Sequence, residues 1–443
     1  MTNYSTMPSG WNRRAILKGG AALTAGSLLG VGTTFAQADA LSFWQFYGPN
    51  GAVPSQSKWY EDTVAAWNAS HDAKIALEYI PTAEYGGTKL PTAFASGEGP
   101  DIFIISPGDF LRYYNGGVLF DLTPYIETAA LADFPEAVMA NRQVDGKVYG
   151  IPQEVGCMAM YYSVDAFDKA GLNENDVPET WDEMLELGKK LTTTDRFGLL
   201  FDTTPGYYQN FTWYPFLWQG GGEFQGADGK SAFNSPATIA ALKLFQDAVA
   251  SGAAPRKSLG GGGWDIVPNL GSGFCAMQNI GMWGSSDLAN GAPDFKYGVF
   301  KCPIPTGGKY VTVGGGWAFA VNAKGKNPKA AAEFCVWALG SMDKDSIERV
   351  VNWCTVAKSA MPPRNSAFEA GKEAFYKDPL KVFTEEIFPG TRAEPRVPPE
   401  INKIISDAIQ ACQLGGADPA QQAQLASEAF DQYLATYTGA PLL

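Results

Sequence analysis

The stretch Val144–Ser163, VDGKVYGIPQEVGCMAMYYS, constrains the fold of this chain more than any other. Its residues 145–147, Asp-Gly-Lys, predict a tight turn, because glycine readily adopts the positive φ that such turns require. An extended aromatic and apolar run follows, but Pro152 and Gly156 interrupt it where a continuous central strand would not tolerate them. The pattern therefore predicts a strand that leaves one sheet and enters another.

Two polar residues, Gln153 and Glu154, lie at this predicted switch, which indicates a cleft and not a core. A chain of 443 residues is expected to form two or more domains. Its hydrophobic fraction of 45% and charged fraction of 18% are typical of a globular protein. The net charge of −13 argues against nucleic-acid binding, which requires a basic surface.

The rare residue types exclude several kinds of site. The single histidine, His71, rules out zinc sites built on several histidines and leaves one candidate for a histidine-based triad; we expect it to be solvated. The six cysteines show no C-x-x-C spacing and are expected to be buried free thiols, although a disulfide stays possible. No phosphate-binding G-x-x-x-x-G-K-[ST] motif occurs. We therefore expect no metal, no cofactor and no ATP site.

The N-terminal segment has the features of an export signal. Residues 12–18, NRRAILK, resemble the twin-arginine signature, and an uncharged Gly/Ala/Leu/Thr stretch follows. Small-residue cleavage patterns come next, and cleavage after Ala38 and after Ala40 are both possible. Residues 1–38 are thus predicted to be a signal peptide, and the mature protein is predicted to be periplasmic.

The first part of the mature chain alternates between strand and helix patterns. Leu41–Tyr47 and Lys74–Ile80 read as strands, whereas Ser55–Asn68 and Leu90–Ser96 show helical spacing. This order predicts a wound sheet that binds its ligand at the carboxyl ends of its strands.

Three blocks of sequence resemble one protein family. GKVYGIP, the run MYYSVDAFDKAGL with VPETWDEMLELGKKL, and GEGPDIFIISPGDFLRYYNGGVLFDLTP are similar to segments of the extracellular solute-binding proteins of ABC importers. The likeness is to their carbohydrate-binding, maltose-binding-protein-like branch, and it spans nearly the whole mature chain.

The resemblance implies an α/β, two-lobed periplasmic-binding-protein fold. Each lobe would be a wound β-sheet flanked by helices, with the ligand cleft between the lobes. Residues 39–153 with 318–362 would form lobe one, and residues 154–317 with 363–443 lobe two. The protein would be a monomeric, non-catalytic carrier. It would capture a sugar or oligosaccharide by hinge closure and deliver it to the transmembrane subunits of a permease and their ATPase.

A neutral sugar is bound by aromatic rings against its apolar faces and by amides, carboxylates and guanidiniums around its hydroxyl rim. On this basis, the residues expected to contact ligand are Gln45, Tyr47, Ser106, Asp109, Gln153, Glu154, Tyr207, Tyr208, Trp213, Trp283, Trp317 and Arg396.

Several alternatives stay open at this point. Tyr207, Tyr208 and Trp213 are expected in an aromatic loop, where some would stack on the sugar and others would pack beneath it. Trp283 and Trp317 have both a stacking and a core interpretation. Arg396 has both a hydroxyl-binding and a surface ion-pair interpretation. The protein as a whole could also bind a non-sugar solute or, less in keeping with the pattern, be a secreted carbohydrate-active enzyme with two opposed carboxylates.

Overall fold

Two mixed β-sheets organise residues 39–443, the part of the chain that a computed structural model describes. The predicted signal peptide and its twin-arginine motif lie outside the described residues. In chain order, the strands are β1 Leu41–Gln45, β2 Ile75–Tyr79, β3 Ile102–Ile105, β4 Gln143–Val144, β5 Lys147–Val148, β6 Ile151–Pro152, β7 Gly156–Ser163, β8 Met277–Gly281, β9 Tyr297–Phe300, β10 Thr312–Gly315, β11 Ala318–Val321 and β12 Thr391–Ala393.

Sheet one has the order β2-β1-β3-β11-β6, in which β1 is parallel to β2 and β3, and β11 is antiparallel to β3 and β6. Sheet two has the order β12-β10-β7-β8, and β9 also pairs with β7. The chain passes from sheet one to sheet two between β6 and β7, and it returns between β10 and β11. The predicted strand that leaves one sheet and enters another is thereby confirmed.

The tight turn predicted before this crossing is also present. It joins β4 to β5, and Asp145 and Gly146 both have positive φ, at 51° and 74°. Two successive positive φ values are typical of the hairpin turns whose twist matches the strands they join.

Helices surround both sheets. In chain order, they are α1 Pro54–Ser70, α2 Thr82–Glu84, α3 Leu90–Ser96, α4 Pro107–Asn115, α5 Thr128–Ala132, α6 Glu136–Met139, α7 Val164–Lys169, α8 Trp181–Leu191, α9 Tyr207–Gln219, α10 Pro236–Ala250, α11 Gly284–Gly291, α12 Pro328–Cys335, α13 Lys344–Asn352, α14 Asn365–Phe375, α15 Pro399–Gln413 and α16 Pro419–Leu434.

Strand β7 is the central strand of sheet two and is buried along its whole length. Its side chains alternate between two apolar clusters, because successive residues of a strand point to opposite faces. Met158 and Met160 belong to one cluster, and Cys157 and Ala159 belong to the other. Both faces of sheet two are therefore covered.

Two local predictions are wrong. The apolar sequence from Phe197 to Leu200 predicts a short strand, but only isolated bridges form at its two ends. Gly198 bends the segment onto α8, where a Cβ would lie 1.7 Å from the carbonyl oxygen of Gly188. The aromatic segment after Gly206 is helix α9 and not a loop. It is buried from Gln209 to its end and contains Pro215, so it lacks the amphipathic period by which helices are recognised.

The rare residues are placed as follows. All six cysteines are buried and free, as predicted. His71 is half-buried and not fully solvated, because its ring stacks on Trp67 with the centroids 3.5 Å apart.

The division of the chain between lobes stays a prediction. Near its last boundary, Arg364 pairs with Asp133 at 2.6 Å, and α14 packs against α13.

Candidate functional site

The two passages between the sheets lie side by side. The amide of Gln153 donates to the carbonyl of Trp317 at 2.9 Å. The backbone of Val155 also exchanges two hydrogen bonds with Met361, at 2.8 and 2.9 Å. Gly316 has a φ of +152°, and a Cβ there would lie 2.4 Å from the neighbouring carbonyl oxygen of the first passage. Three segments of the chain therefore meet between the sheets, and we call this region the hinge.

A buried ion pair lies at the hinge. The ammonium group of Lys358 donates to a carboxylate oxygen of Glu154, and Trp353 Nε1 donates to the other oxygen. The same ammonium donates to the hydroxyl of Tyr47 at 2.9 Å. Burial, followed by the charge of Glu154, raises the pKa of Tyr47 well above its ordinary value, so this hydroxyl stays protonated. Both oxygens of Glu154 are thus already engaged within the protein.

Lys358 was not foreseen from the sequence. It is surrounded by rings, with its ammonium nitrogen 5.2 Å from the ring centroid of Tyr47 and 5.8 Å from those of Trp283 and Trp353. Distances of this size allow cation–π attraction. A lone lysine in the segment VAKSAMPP carries no motif that would mark it as buried.

Two glutamines beside the hinge have side-chain amide groups that donate no hydrogen bond within the described residues. Gln45 and Gln153 are both fully buried. The side-chain oxygen of Gln45 accepts from the amide of Tyr47, and that of Gln153 accepts from the hydroxyl of Tyr60 at 2.9 Å. Within residues 39–443, neither Nε2 group has a hydrogen-bond partner. Buried donors of this kind are costly unless something pairs with them.

Trp283 forms part of an aromatic wall on the side of sheet two. Its ring lies over two strand glycines, since a Cβ would come within 1.9 Å of it at Gly281 and within 3.3 Å at Gly156. The rings of Tyr208 and Phe211 lie 6.2 and 6.4 Å from it, measured between centroids. The indole is only half-buried. The two glycines therefore let the Trp283 ring pack directly on the strand backbone while part of the ring stays exposed to solvent.

Hydrogen bonds connect the N-terminus of α4, which follows sheet one, to residues that follow sheet two. The amide of Gly108 donates to a carboxyl oxygen of Glu394 at 3.1 Å, and Asn402 Nδ2 donates to the carbonyl of Gly108 at 2.8 Å. Asn141 Nδ2 donates to the Glu394 carbonyl at 3.1 Å. Burial raises the pKa of Glu394 to about 8, although Arg142 acts in the opposite direction.

Two predicted site residues lie on the same helix end. Ser106 is the residue that precedes α4, and Asp109 lies in its first turn. Asp109 pairs with Arg112 at 3.1 Å, while burial raises its pKa. A Cβ at Gly108 would come within 3.0 Å of the ring of Tyr207, so this ring packs directly on the helix end.

Comparisons with known proteins identify the family of the chain. A family model described as bacterial extracellular solute-binding protein matches residues 51–344, which is more than half of the chain. The chain belongs to this family.

Among the relatives of this solute-binding protein are two from Bacillus subtilis. An arabinooligosaccharide-binding protein is 28% identical over 313 residues, covering 68% of this chain and 69% of the relative. A galactooligosaccharide-binding protein is 25% identical over 385 residues, covering 84% and 86%. A solute-binding protein of an ABC transporter from Thermotoga lettingae, solved with α-D-tagatose, has a TM-score of 0.77 at 24% identity and covers 89% of this chain and 100% of that one. The two-lobed α/β fold expected from the sequence is confirmed.

Two predicted contacts of the solute-binding protein, Trp213 and Arg396, lie apart from the hinge, whereas Trp317 belongs to the hinge through its backbone. Trp213 is fully buried in α9, with its ring 5.7 Å from that of Phe233. The guanidinium of Arg396 is also buried and donates to backbone carbonyls, including that of Pro441 at 2.8 Å. Trp317 is half-buried, and its ring lies 4.8 Å from that of Phe46.

Two further structural findings concern residues 39–443 of the solute-binding protein. In this range, no group of three or more His, Cys, Asp or Glu side chains is arranged so that it could hold a metal ion. No helix in the described part of the chain is both long and apolar enough to cross a membrane.

Proposed function

We propose that this solute-binding protein captures a sugar or oligosaccharide between its lobes and delivers it to the permease of an ABC importer. The observation that carries the proposal is the half-buried indole of Trp283, seated flat over Gly156 and Gly281 beside the hinge. A partly exposed indole of this kind suits the apolar face of a pyranose. The names of the two oligosaccharide-binding relatives support the same ligand class.

Polar contacts to the sugar would come from the hinge. The Nε2 groups of Gln45 and Gln153 would donate to sugar hydroxyls and so satisfy two buried donors. Tyr47 and Glu154 would act mainly through Lys358, because the ion pair already engages the Glu154 oxygens. Tyr208 would extend the stacking wall beside Trp283. Ser106, Asp109 and Tyr207 would border the ligand from the α4 end.

Closure would be a hinge motion between residues 39–153 with 318–362 and residues 154–317 with 363–443. The hydrogen bonds of Gly108 with Glu394 and Asn402 would form only in the closed state. A ligand that touches both lobes would shift the balance towards this state.

We further propose that the protein does not alter its ligand and acts as a monomer. Enzymatic hydrolysis would require two free opposed carboxylates, one acting as acid. The candidates Asp109 and Glu154 are instead paired with Arg112 and Lys358. Export to the periplasm by the twin-arginine route is part of the same proposal, and it rests on residues 12–18.

Calorimetric titration of the mature protein with a panel of mono- and oligosaccharides tests the proposal. At least one sugar should bind with a negative heat-capacity change, as expected when apolar surface is buried. Mass spectrometry after long incubation should recover that sugar unchanged. Binding of only non-sugar solutes would refute the carbohydrate assignment, and cleaved or rearranged sugar would refute the non-catalytic one.

A further inference from the structure

Three carboxylates surround the aromatic wall on the side of sheet two. Asp202 Oδ1 accepts from the amide of Gly263 at 2.9 Å, directly before Trp264 in the chain. Asp265 follows Trp264, and Asp287 lies one helical turn after Trp283. The ring of Trp264 meets that of Tyr208 edge to face at 5.6 Å, which brings the segment of Gly263 and Asp265 to the aromatic wall.

Direct ion pairs do not compensate these carboxylates in the described part of the chain. None of the three forms an ion pair there. Lys358 lowers the pKa of Asp287, but its ammonium is already bound to Glu154. Burial raises the pKa of Asp287 to about 7 and that of Asp202 to about 6. For Asp202 and Asp287, burial therefore outweighs the stabilisation that hydrogen bonds and Lys358 give to the charged forms.

A second observation concerns unpaired polar atoms and not charge. Asp202 is fully buried, and its Oδ2 has no hydrogen-bond partner among residues 39–443. The hydroxyl of Tyr208 is also buried without a partner there, and burial followed by the charge of Asp202 raises its pKa. Asp202 Oδ2 and the Tyr208 hydroxyl thus have no hydrogen-bond partner within the described residues, and a bound ligand would supply one.

The chemistry of the wall favours a positive charge. Aromatic faces attract ammonium groups, and the Trp283 ring already faces the ammonium of Lys358 at 5.8 Å. A nearby cation would also stabilise the ionised forms of Asp202 and Asp287. A neutral sugar would supply neither effect.

We propose that the ligand carries a positively charged amino group, so that the captured carbohydrate is an amino sugar. Tyr208, Trp264 and Trp283 would enclose the ammonium, and Asp287 would be its counter-ion. The inference rests on the proposed function, since it assumes capture between the lobes.

The test compares sugars that differ only at the nitrogen. Calorimetry of the mature protein would use glucose, galactose and mannose, their 2-amino forms and their N-acetylated 2-amino forms, as monosaccharides and β-1,4-linked disaccharides. An aliphatic diamine is included to test whether an ammonium group binds without a sugar ring. In at least one series, the amino form should bind at least tenfold more tightly than its neutral and acetylated counterparts.

Asp287→Asn should reduce that preference to less than threefold while the protein stays folded, as checked by its melting temperature. The matched control is Asp168→Asn, which removes an exposed carboxylate of α7 and should keep the full preference. Equal binding of neutral and amino forms would overturn the inference and leave the proposed function standing. Binding of the diamine without any sugar would support the ammonium site and overturn the carbohydrate assignment. Failure of every compound in the panel to bind would overturn both.

Discussion

Trp283→Ala should weaken carbohydrate binding strongly while leaving the fold nearly intact. The indole lies over Gly281 and Gly156 and is only half-buried, so a bound sugar would cover the part of its surface that solvent contacts in the free protein. Stacking and apolar burial together are worth about 2 kcal/mol. This corresponds to a loss of affinity of roughly thirtyfold.

Trp213 provides the matched control on the same side of the molecule. It is fully buried, and its truncation would leave a cavity in the core. A change of that kind costs about 3–5 kcal/mol of the free energy of unfolding. Trp213→Ala should therefore lower the melting temperature far more than Trp283→Ala, while the folded fraction keeps the affinity of the original protein.

Gly281→Ala gives a second test that keeps the indole. A Cβ at this position would lie 1.9 Å from the Trp283 ring, so the ring would have to leave its seat and affinity should again fall. For all three variants, calorimetry measures the ligand affinity, and a thermal unfolding experiment measures the melting temperature without ligand. A large drop in melting temperature with unchanged affinity for Trp283→Ala would make this residue part of the core and refute the placement of the site.

Three further predictions concern charge and export. Because burial raises the pKa of Glu394 to about 8 from 4.5, the folded protein keeps a proton that the unfolded chain has released, and stability is lost as pH rises through this window. Glu394→Gln should flatten that decline by up to about 1.4 kcal/mol per pH unit in chemical denaturation; an unchanged slope would contradict the assignment. Lys358→Met should lower the free energy of unfolding by about 3–5 kcal/mol, because it leaves the Glu154 carboxylate buried without a cation; a cost below about 1 kcal/mol would argue against the buried pair. Replacing Arg13 and Arg14 by lysine should leave the precursor in the cytoplasm in a fractionation experiment, and normal maturation would defeat the twin-arginine interpretation.

The hinge shows how far local sequence can predict this fold. Pro152 and Gly156 are incompatible with one continuous central strand, and the chain does change sheets between them. The turn that precedes the hinge is likewise predicted by Gly146, which adopts a positive φ. Such features depend on backbone conformation, which each residue restricts by itself.

The aromatic segment after Gly206 could not be interpreted in this way. Helix α9 is buried along most of its length, so it carries no alternation between apolar and polar faces. Its assignment as a loop failed for that reason. Two aromatic residues of this helix differ in their exposure. Trp213 is enclosed in the core, whereas Tyr208 is partly exposed near Trp283. Composition alone could not distinguish these aromatic residues.

The sequence by itself determined the first strands and helices of the mature chain, the turn at Gly146 and the crossing at Gln153 and Glu154, because these depend on neighbours in the chain. Only the tertiary structure decided which charges meet. Lys358 reaches Glu154 from 204 positions away, and Gly108 meets Glu394 across 286 positions. The strength of each of these contacts depends on burial and distance, and neither quantity exists until the chain has folded.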